Sequence, residues 1–558
     1  MTVQFDEDKS KKKLDTLLKQ EEEDLARVLS YKYGVEYLDL SRVAISTDAL
    51  RLIPEEEAHK AELAVFDIVG KKLKVAVRAP KKDATELVLE GLRGKGYAVE
   101  IFIVSSVGLE RALSRYKDVA FTSEVKAGML DISSEEIEQF TNEVQSLEDV
   151  KKLISGTLSM KKSYRISRIL EIILAGALAL HASDVHLEPE EGYVRLRYRL
   201  DGVLTEILTF DLETFVLLLS RLKLLSRLKL NIKNAPQDGR FSIRLKEGDI
   251  EIRTSLLPGA YSESVVLRVL NPQSIAVSME KLGIEEDLFN KLAHEIGKPT
   301  GMILTTGPTG SGKTTTLYAF LKRVHKPDIK IITIEDPIEY HMPGIVQTQV
   351  DHKEYDFASG LRSVLRQDPD VIMVGEIRDG ETAKIAINAA LTGHLVFSTL
   401  HTNSAAGAFP RLIDLGVDPK IIGSAINTSM AQRLIRILCP ACKKETALLP
   451  ERKKRVDEVL ASVAEKTKNI QKEKEFLPVG CKECAGLGYK GRLGIFEAVF
   501  MNEKISDLVS KSSSERDIAE EEASQGTFTM LQDGFVKALT GITSFEELSR
   551  VIDIEARN

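Results

Sequence analysis

Gly307-Pro308-Thr309-Gly310-Ser311-Gly312-Lys313-Thr314, followed by Thr315, is a run whose residue types and spacing suit the holding of a polyphosphate. Gly307, Gly310 and Gly312 open backbone angles that side chains forbid, so their N–H groups can converge on phosphate oxygens. Lys313 supplies a mobile cation for the β- and γ-phosphates, and the Thr314 hydroxyl suits Mg²⁺. An apolar run, Met302 to Leu304, precedes the loop, and a helix-compatible run, Thr315 to Val324, follows it. Strand, glycine loop and helix N-terminus together predict a nucleoside triphosphate site.

Two further strand-like runs end in acids. Lys330 to Ile334 leads into Glu335-Asp336-Pro337-Ile338-Glu339, and Asp370 to Val374 leads through Gly375 to Glu376. Carboxylates at that edge of a sheet, beside a phosphate loop, are placed for metal or water chemistry. Hydrolysis needs a carboxylate that orients and deprotonates a water in line with the γ-phosphate. Glu335 is assigned as that base and Glu376 as the acid on the Mg²⁺ side, with the reverse split as the alternative. A third strand, Leu395 to Thr399, is bracketed by His394 and His401. A histidine at a strand end can hydrogen-bond the phosphate or the water. One such histidine alone is commonly structural, and the bracketing pair is what argues for function.

Cys439-Pro-Ala-Cys442 and Cys481-Lys-Glu-Cys484 use every cysteine in the chain. Four thiolates in two knuckles suit tetrahedral, structural Zn²⁺. Disulfides fit poorly with a reducing compartment, and a redox C-x-x-C needs only one pair. Residues 451–475, rich in Lys and Glu, read as a helix inside the insertion 439–484.

These residues need a large scaffold. A chain of 558 residues predicts two to four domains, and 43% hydrophobic with 29% charged residues is a soluble globular composition. The net charge of −7 and the lack of a basic, aromatic-studded tract argue against direct nucleic-acid contact. The longest apolar stretch, Ile169 to Leu180, contains Glu171 and is too short to span a bilayer. No secretory signal opens the chain, which predicts a cytoplasmic protein that reaches a membrane only through partners.

The fold class read from this order is α/β throughout. Residues 1–24 read as a charged leader, 25–117 as a small α/β unit, and 118–163 as a linker in which Ser134-Glu135-Glu136 starts a helix. Residues 164–272 form a second α/β unit with an apolar helix, Ile166 to Leu180. Two hairpins follow, one turning at Asp201-Gly202 and the other within Phe241 to Leu257. Residues 273–558 hold the nucleotide machinery.

The ordered runs Gly307 to Leu317, Thr333 to Glu339, Leu365 to Ala383 and Gly393 to Asn403 resemble the Walker A, aspartate, Walker B and histidine boxes of the type II/type IV secretion ATPases. Ala182 to Pro189, Arg197 to Gly202 and Cys484 to Glu497 extend the resemblance over roughly residues 164–558, with weaker similarity in 25–117. The resemblance implies a RecA-like P-loop domain, a PAS-like second N-terminal domain and a first N-terminal docking domain. It implies a homohexameric ATPase at the inner face of the cytoplasmic membrane that uses ATP, Mg²⁺ and Zn²⁺. Such a motor powers assembly of a type IV pilus or a type II secretion pseudopilus through an inner-membrane platform protein. The cysteines and the long N-terminus are similar to the family's assembly branch. The cyclic di-GMP motif of some relatives is missing; Ala26-Arg27-Val28-Leu29 lacks the glycine.

Arginines that neutralise developing charge assist phosphoryl transfer. The family pattern favours Arg253 and Arg268; Arg362 and Arg366 are further candidates, and Arg197, Arg199 and Arg240 weaker ones. Surface ion pairing is the commoner fate of an arginine. ATP then joins the two larger units, which reopen about a hinge near Leu270 to Ser274. Two competing functions are a DNA-uptake or DNA-translocating motor and a non-hydrolysing regulatory subunit. The acidic balance opposes the first, and the intact Lys313, Thr314, Glu335, Glu376 and His401 oppose the second.

Overall fold

Apolar runs bounded by turn residues set the strands of the first unit, and a helical spacing of apolar residues sets its helices. A computed structural model of the chain describes residues 7–555, except 44, 51, 70, 95, 117–128, 131–142, 145, 159–161, 246–247, 272–276 and 352–354. It divides into two units, residues 1–131 and 132–558.

In the first unit, α1 (Glu7–Tyr33) leads to β1 (Glu36–Tyr37), β2 (Leu63–Val69), β3 (Lys72–Val77), α2 (Asp83–Gly94), β4 (Ala98–Ile103) and α3 (Ser106–Ser114). The sheet order is β1-β4-β3-β2, with β4 parallel to both neighbours and β2–β3 an antiparallel hairpin. One helix, α1, crosses the expected boundary at residue 24, and its Ala26 is buried in this unit's core.

The second unit begins with α4 (Leu147–Leu158) and α5 (Lys162–Ala179). The segment expected to be linker thus contains a helix, and its Val150 and Ile154 are fully buried. A Cβ at Gly176 of α5 would meet Val150 at 2.9 Å, so glycine is what allows the two helices to approach. The helix start read at Ser134 and most of the hinge segment lie outside the described residues.

The strands β5 (Asp184–Pro189), β6 (Val194–Leu200), β7 (Val203–Phe210), β8 (Gln237–Leu245), β9 (Gly248–Pro258) and β10 (Glu263–Leu270) follow, with α6 (Leu212–Leu225) between β7 and β8. They lie in the order β8-β9-β10-β5-β6-β7, all neighbours antiparallel. β6 alternates buried and half-buried residues along its length, as a sheet with one covered face requires.

The nucleotide half contains α7 (Glu286–Ile296), β11 (Gly301–Thr306), α8 (Lys313–Val324), β12 (Ile331–Glu335), β13 (Val346–Gln349), α9 (Phe357–Val364), β14 (Val371–Val374), α10 (Gly380–Leu391) and β15 (Leu395–Leu400). After these come β16 (Ile426–Leu438), α11 (Pro450–Leu460), β17 (Lys474–Leu477), β18 (Tyr489–Phe500), α12 (Glu515–Ser524), α13 (Met530–Leu539) and α14 (Phe545–Val551). The main sheet runs β13-β12-β14-β15-β11-β16-β18, parallel except for the last pair. Every residue of β11, β12, β14 and β15 is buried, which a parallel sheet covered on both faces demands. Met302 and Leu304 enter one core and Ile303 the other, following the two-residue period of a strand. The two halves of this unit touch where Asp201, at the tip of the β6–β7 turn, accepts a hydrogen bond from the Gly491 amide at 2.9 Å.

Candidate nucleotide site and cysteine cluster

Parallel strands bring their C-terminal ends to one edge, and the loops after β11, β12, β14 and β15 carry the expected nucleotide residues there. Gly307, Gly310 and Gly312 have φ of 148°, 80° and 89°, all in the region that favours glycine. Pro308, Thr309 and Gly310 form the exposed crest, Ser311 is buried, and Thr314 and Thr315 are half-buried in the first turn of α8. The Lys313 ammonium donates to the carbonyls of Gly307 at 2.9 Å and Pro308 at 3.1 Å. Burial lowers its pKa, and the Glu376 carboxylate opposes that shift.

The expected acids differ in their surroundings. Glu376 lies 3.3 Å from His401 Nε2 and forms an ion pair with Arg378, which also faces Asp336 at 3.8 Å. Lys313, Glu376 and His401 thus meet at one place. Glu335 is 3% exposed and has a closed set of partners: Tyr318 on one oxygen, with Thr333 at 2.5 Å and Gln347 at 3.1 Å on the other. That set makes it a brace between β12, α8 and β13. Glu339, four residues on, is half-buried; burial raises its carboxyl above the usual range, while Arg253 pulls it down, Glu335 raises it and Arg268 lowers it. His394 sits at the other end of β15, with Nδ1 3.0 Å from the Ala389 carbonyl, so only one of the bracketing histidines is near the loop.

Arg253 donates across the two halves to the Ile338 carbonyl at 2.9 Å and to Glu251 at 3.0 Å. Arg268 pairs with Asp184 at 3.0 Å. The strand register puts Arg240, Arg253 and Arg268 directly opposite one another across β8, β9 and β10, and continues through Asp184 to Arg199. Cross-strand partners share a face, and like charges in that position repel. The first three arginines line a cavity of about 540 Å³ with Pro337 and Gln349 from the nucleotide half. Arg362 pairs with Glu381, Arg366 donates to Ser363 at 3.2 Å, and Arg197 pairs with Glu188 at 2.6 Å, which are local contacts.

The cysteine sulfurs all lie within 4.8 Å of one another, with three pairs at 3.8 Å. Tetrahedral zinc with bonds of about 2.3 Å needs sulfurs about 3.8 Å apart, so the cluster fits the ion. Burial raises the Cys484 thiol, but amide donation from Cys481 and Gly488 outweighs it and brings the value down to about 7. The insertion holds a shorter helix than expected, α11, and then β17, which pairs antiparallel with residues 444–447.

Sequence reasoning missed Arg378, although it stands two residues after Glu376 in the same box. It also missed Gln432 and Arg433 on β16, which reach the phosphate loop from more than a hundred residues away. No local signal marks them.

Comparison with known proteins agrees with this geometry. The profile of the "Type II/IV secretion system protein" family matches residues 159–550, and that of the "MshEN domain" matches residues 33–122. A "Type II secretion system protein E" of Pectobacterium carotovorum subsp. carotovorum is 42% identical over 83% of this chain and 90% of its own length. The protein with the same description in Pseudomonas aeruginosa is 45% identical over 69% of this chain and 75% of its own. "Type IV pilus assembly ATPase PilB" of Myxococcus xanthus is 36% identical over 95% of this chain and 91% of its own. Among the described residues no helix is long and apolar enough to cross a membrane.

Proposed function

This chain belongs to the type II/IV secretion system protein family, and from that premise we propose that it works as a hexameric motor on the inner face of the cytoplasmic membrane, driving pilus or pseudopilus assembly through a platform protein. It is an ATPase with a RecA-like P-loop domain. The observation that carries the reading is the meeting of Lys313, Glu376 and His401 beside the glycine loop.

The amides and Lys313 of the loop hold the triphosphate. Thr314 and Glu376 offer the hard oxygen donors that Mg²⁺ prefers, and the bound ion neutralises phosphate charge. Glu335 braces the site through its three partners. Glu335 keeps the base role read from the sequence, with Glu376 as the reverse split, and its three partners hold it in place at the end of β12. His401 fixes Glu376 and reads the phosphate end. Arg253 and Arg268 turn from Ile338 and Asp184 to the developing negative charge. Loss of the γ-phosphate removes that attraction and loosens the two halves. Cys439, Cys442, Cys481 and Cys484 would hold a Zn²⁺ ion, which ties the knuckles together and takes no part in the reaction.

The test is ATP turnover by the full chain alongside native mass spectrometry, with and without the cytoplasmic segment of a platform protein. The expected result is a hexamer whose turnover rises with that segment. Turnover by a monomer, indifferent to the segment, refutes the motor.

A further inference from the structure

The loop that carries His401 and the glycine loop are separate in sequence, and one side chain touches the surroundings of both. Arg433 lies on β16, next to β11, whose end is the start of the glycine loop. A Cβ at Gly307 would stand 2.7 Å from the Gln432 carbonyl and 3.2 Å from Arg433 Nη1. The first loop glycine is therefore packed directly on the Gln432–Arg433 backbone and guanidinium. Arg433 Nη1 donates to the Gln432 carbonyl at 3.0 Å, and Nη2 donates to the Asn403 carbonyl at 3.0 Å, two residues after His401. Its neighbour Gln432 is 1% exposed and donates through Nε2 to the Ser311 carbonyl inside the glycine loop at 2.5 Å.

We propose that Arg433 is a positioning residue for ATP hydrolysis: its forked guanidinium couples the shape of the glycine loop to the loop that bears His401. The inference rests on the ATP site described above. A planar fork can bridge two carbonyls at fixed separation, which a lysine ammonium on a flexible stem does not reproduce. The half-buried guanidinium is also held from behind. Glu497 attracts it, and the same carboxylate accepts from the Ala405 amide at 2.9 Å and the Met530 amide at 3.1 Å. Movement of Gly307 on phosphate binding shifts one prong of the fork, and the other prong carries the shift to Asn403 and His401.

The experiment compares the full chain with Arg433→Lys, His401→Ala and the double variant, reading kcat, KM and the affinity for ADP. R433K lowers kcat about tenfold and leaves ADP affinity within about threefold, because the binding amides and Lys313 remain. In the H401A background the same change costs less than about twofold, because the two residues act in one chain of contacts. Unchanged kcat in R433K, equal losses of kcat and ADP affinity, or a full tenfold loss on top of H401A overturns the proposal. Hydrogen exchange of residues 401–405 in the unaltered protein gives a second reading that does not depend on a variant folding. A non-hydrolysable ATP analogue slows it if the coupling exists, and unchanged exchange with the analogue bound overturns it. A parent protein without turnover contradicts the ATPase itself, whereas an active parent with an equally active R433K contradicts only the coupling.

Discussion

Two arginine clusters in the second unit differ in how their charge is met. Around Glu547, Arg436 donates at 2.6 and 2.8 Å and Arg550 at 2.6 and 2.9 Å to one fully buried carboxylate. Arg436 also stacks on Tyr489, 4.0 Å from the ring centroid. In the row Arg240, Arg253 and Arg268 the cations oppose one another across three strands, and two of them are 74% and 63% exposed. A closed, buried set holds the fold; in the row Arg240 and Arg253 share Glu251 and Arg268 leans on Asp184, open ion pairs beside a cavity with which an incoming anion competes. Charge locked in a buried set builds structure, and charge held in open, exchangeable pairs is available for chemistry.

Substitutions can break that contrast. Lys313→Ala, which touches neither cluster, sets the floor: turnover falls by about 10³ or more, measured by phosphate release. Glu547→Ala strands two guanidinium groups and costs about 3–5 kcal/mol in urea unfolding, while turnover per folded molecule stays within about twofold. Arg253→Ala reverses the pattern, lowering turnover about 10²-fold while unfolding free energy falls by no more than about 1 kcal/mol, because its pair with Glu251 is partly exposed. A fall in melting temperature for Arg253→Ala with turnover intact would erase the distinction.

Acid sharpens it further. Burial pushes the Glu547 carboxyl up, but the bonds from Arg550 and Arg436 outweigh it and hold the pKa below the usual range. A depressed carboxylate stabilises the fold fully above its unfolded value, and the gain is lost as pH falls through the lower, folded value. Urea midpoints measured from neutral pH downward should decline there in the parent and show a shallower decline in Glu547→Ala. Arg240→Ala, at the exposed end of the row, has the smallest effect, within about threefold on turnover.

The glycine loop, the cysteine knuckles and the acid-ended strands were legible because each signal is local: glycines at fixed offsets, C-x-x-C pairs, apolar runs ending in a carboxylate. The parallel sheet followed from those runs. What surrounds Glu335 was not legible, because Tyr318 and Gln347 arrive from other elements to close its shell. His394 and His401 looked alike in sequence, and the strand direction distinguishes them. The helix α4 went unread within a charged stretch, although Leu147, Val150, Ile154 and Leu158 recur there at helical spacing. The arginine row depends on register, which no single strand's sequence encodes.

The Asp201–Gly491 hydrogen bond and the Arg253–Ile338 hydrogen bond fasten the antiparallel sheet to the nucleotide half at two separate spots. A slab pinned at two spots cannot drift off its base when one pin lets go; it swings on the other. If Arg253 lets go of Ile338, the hairpin tip at Asp201 and the chain crossing still tie the sheet to its base, so release at one corner tilts the sheet instead of freeing it.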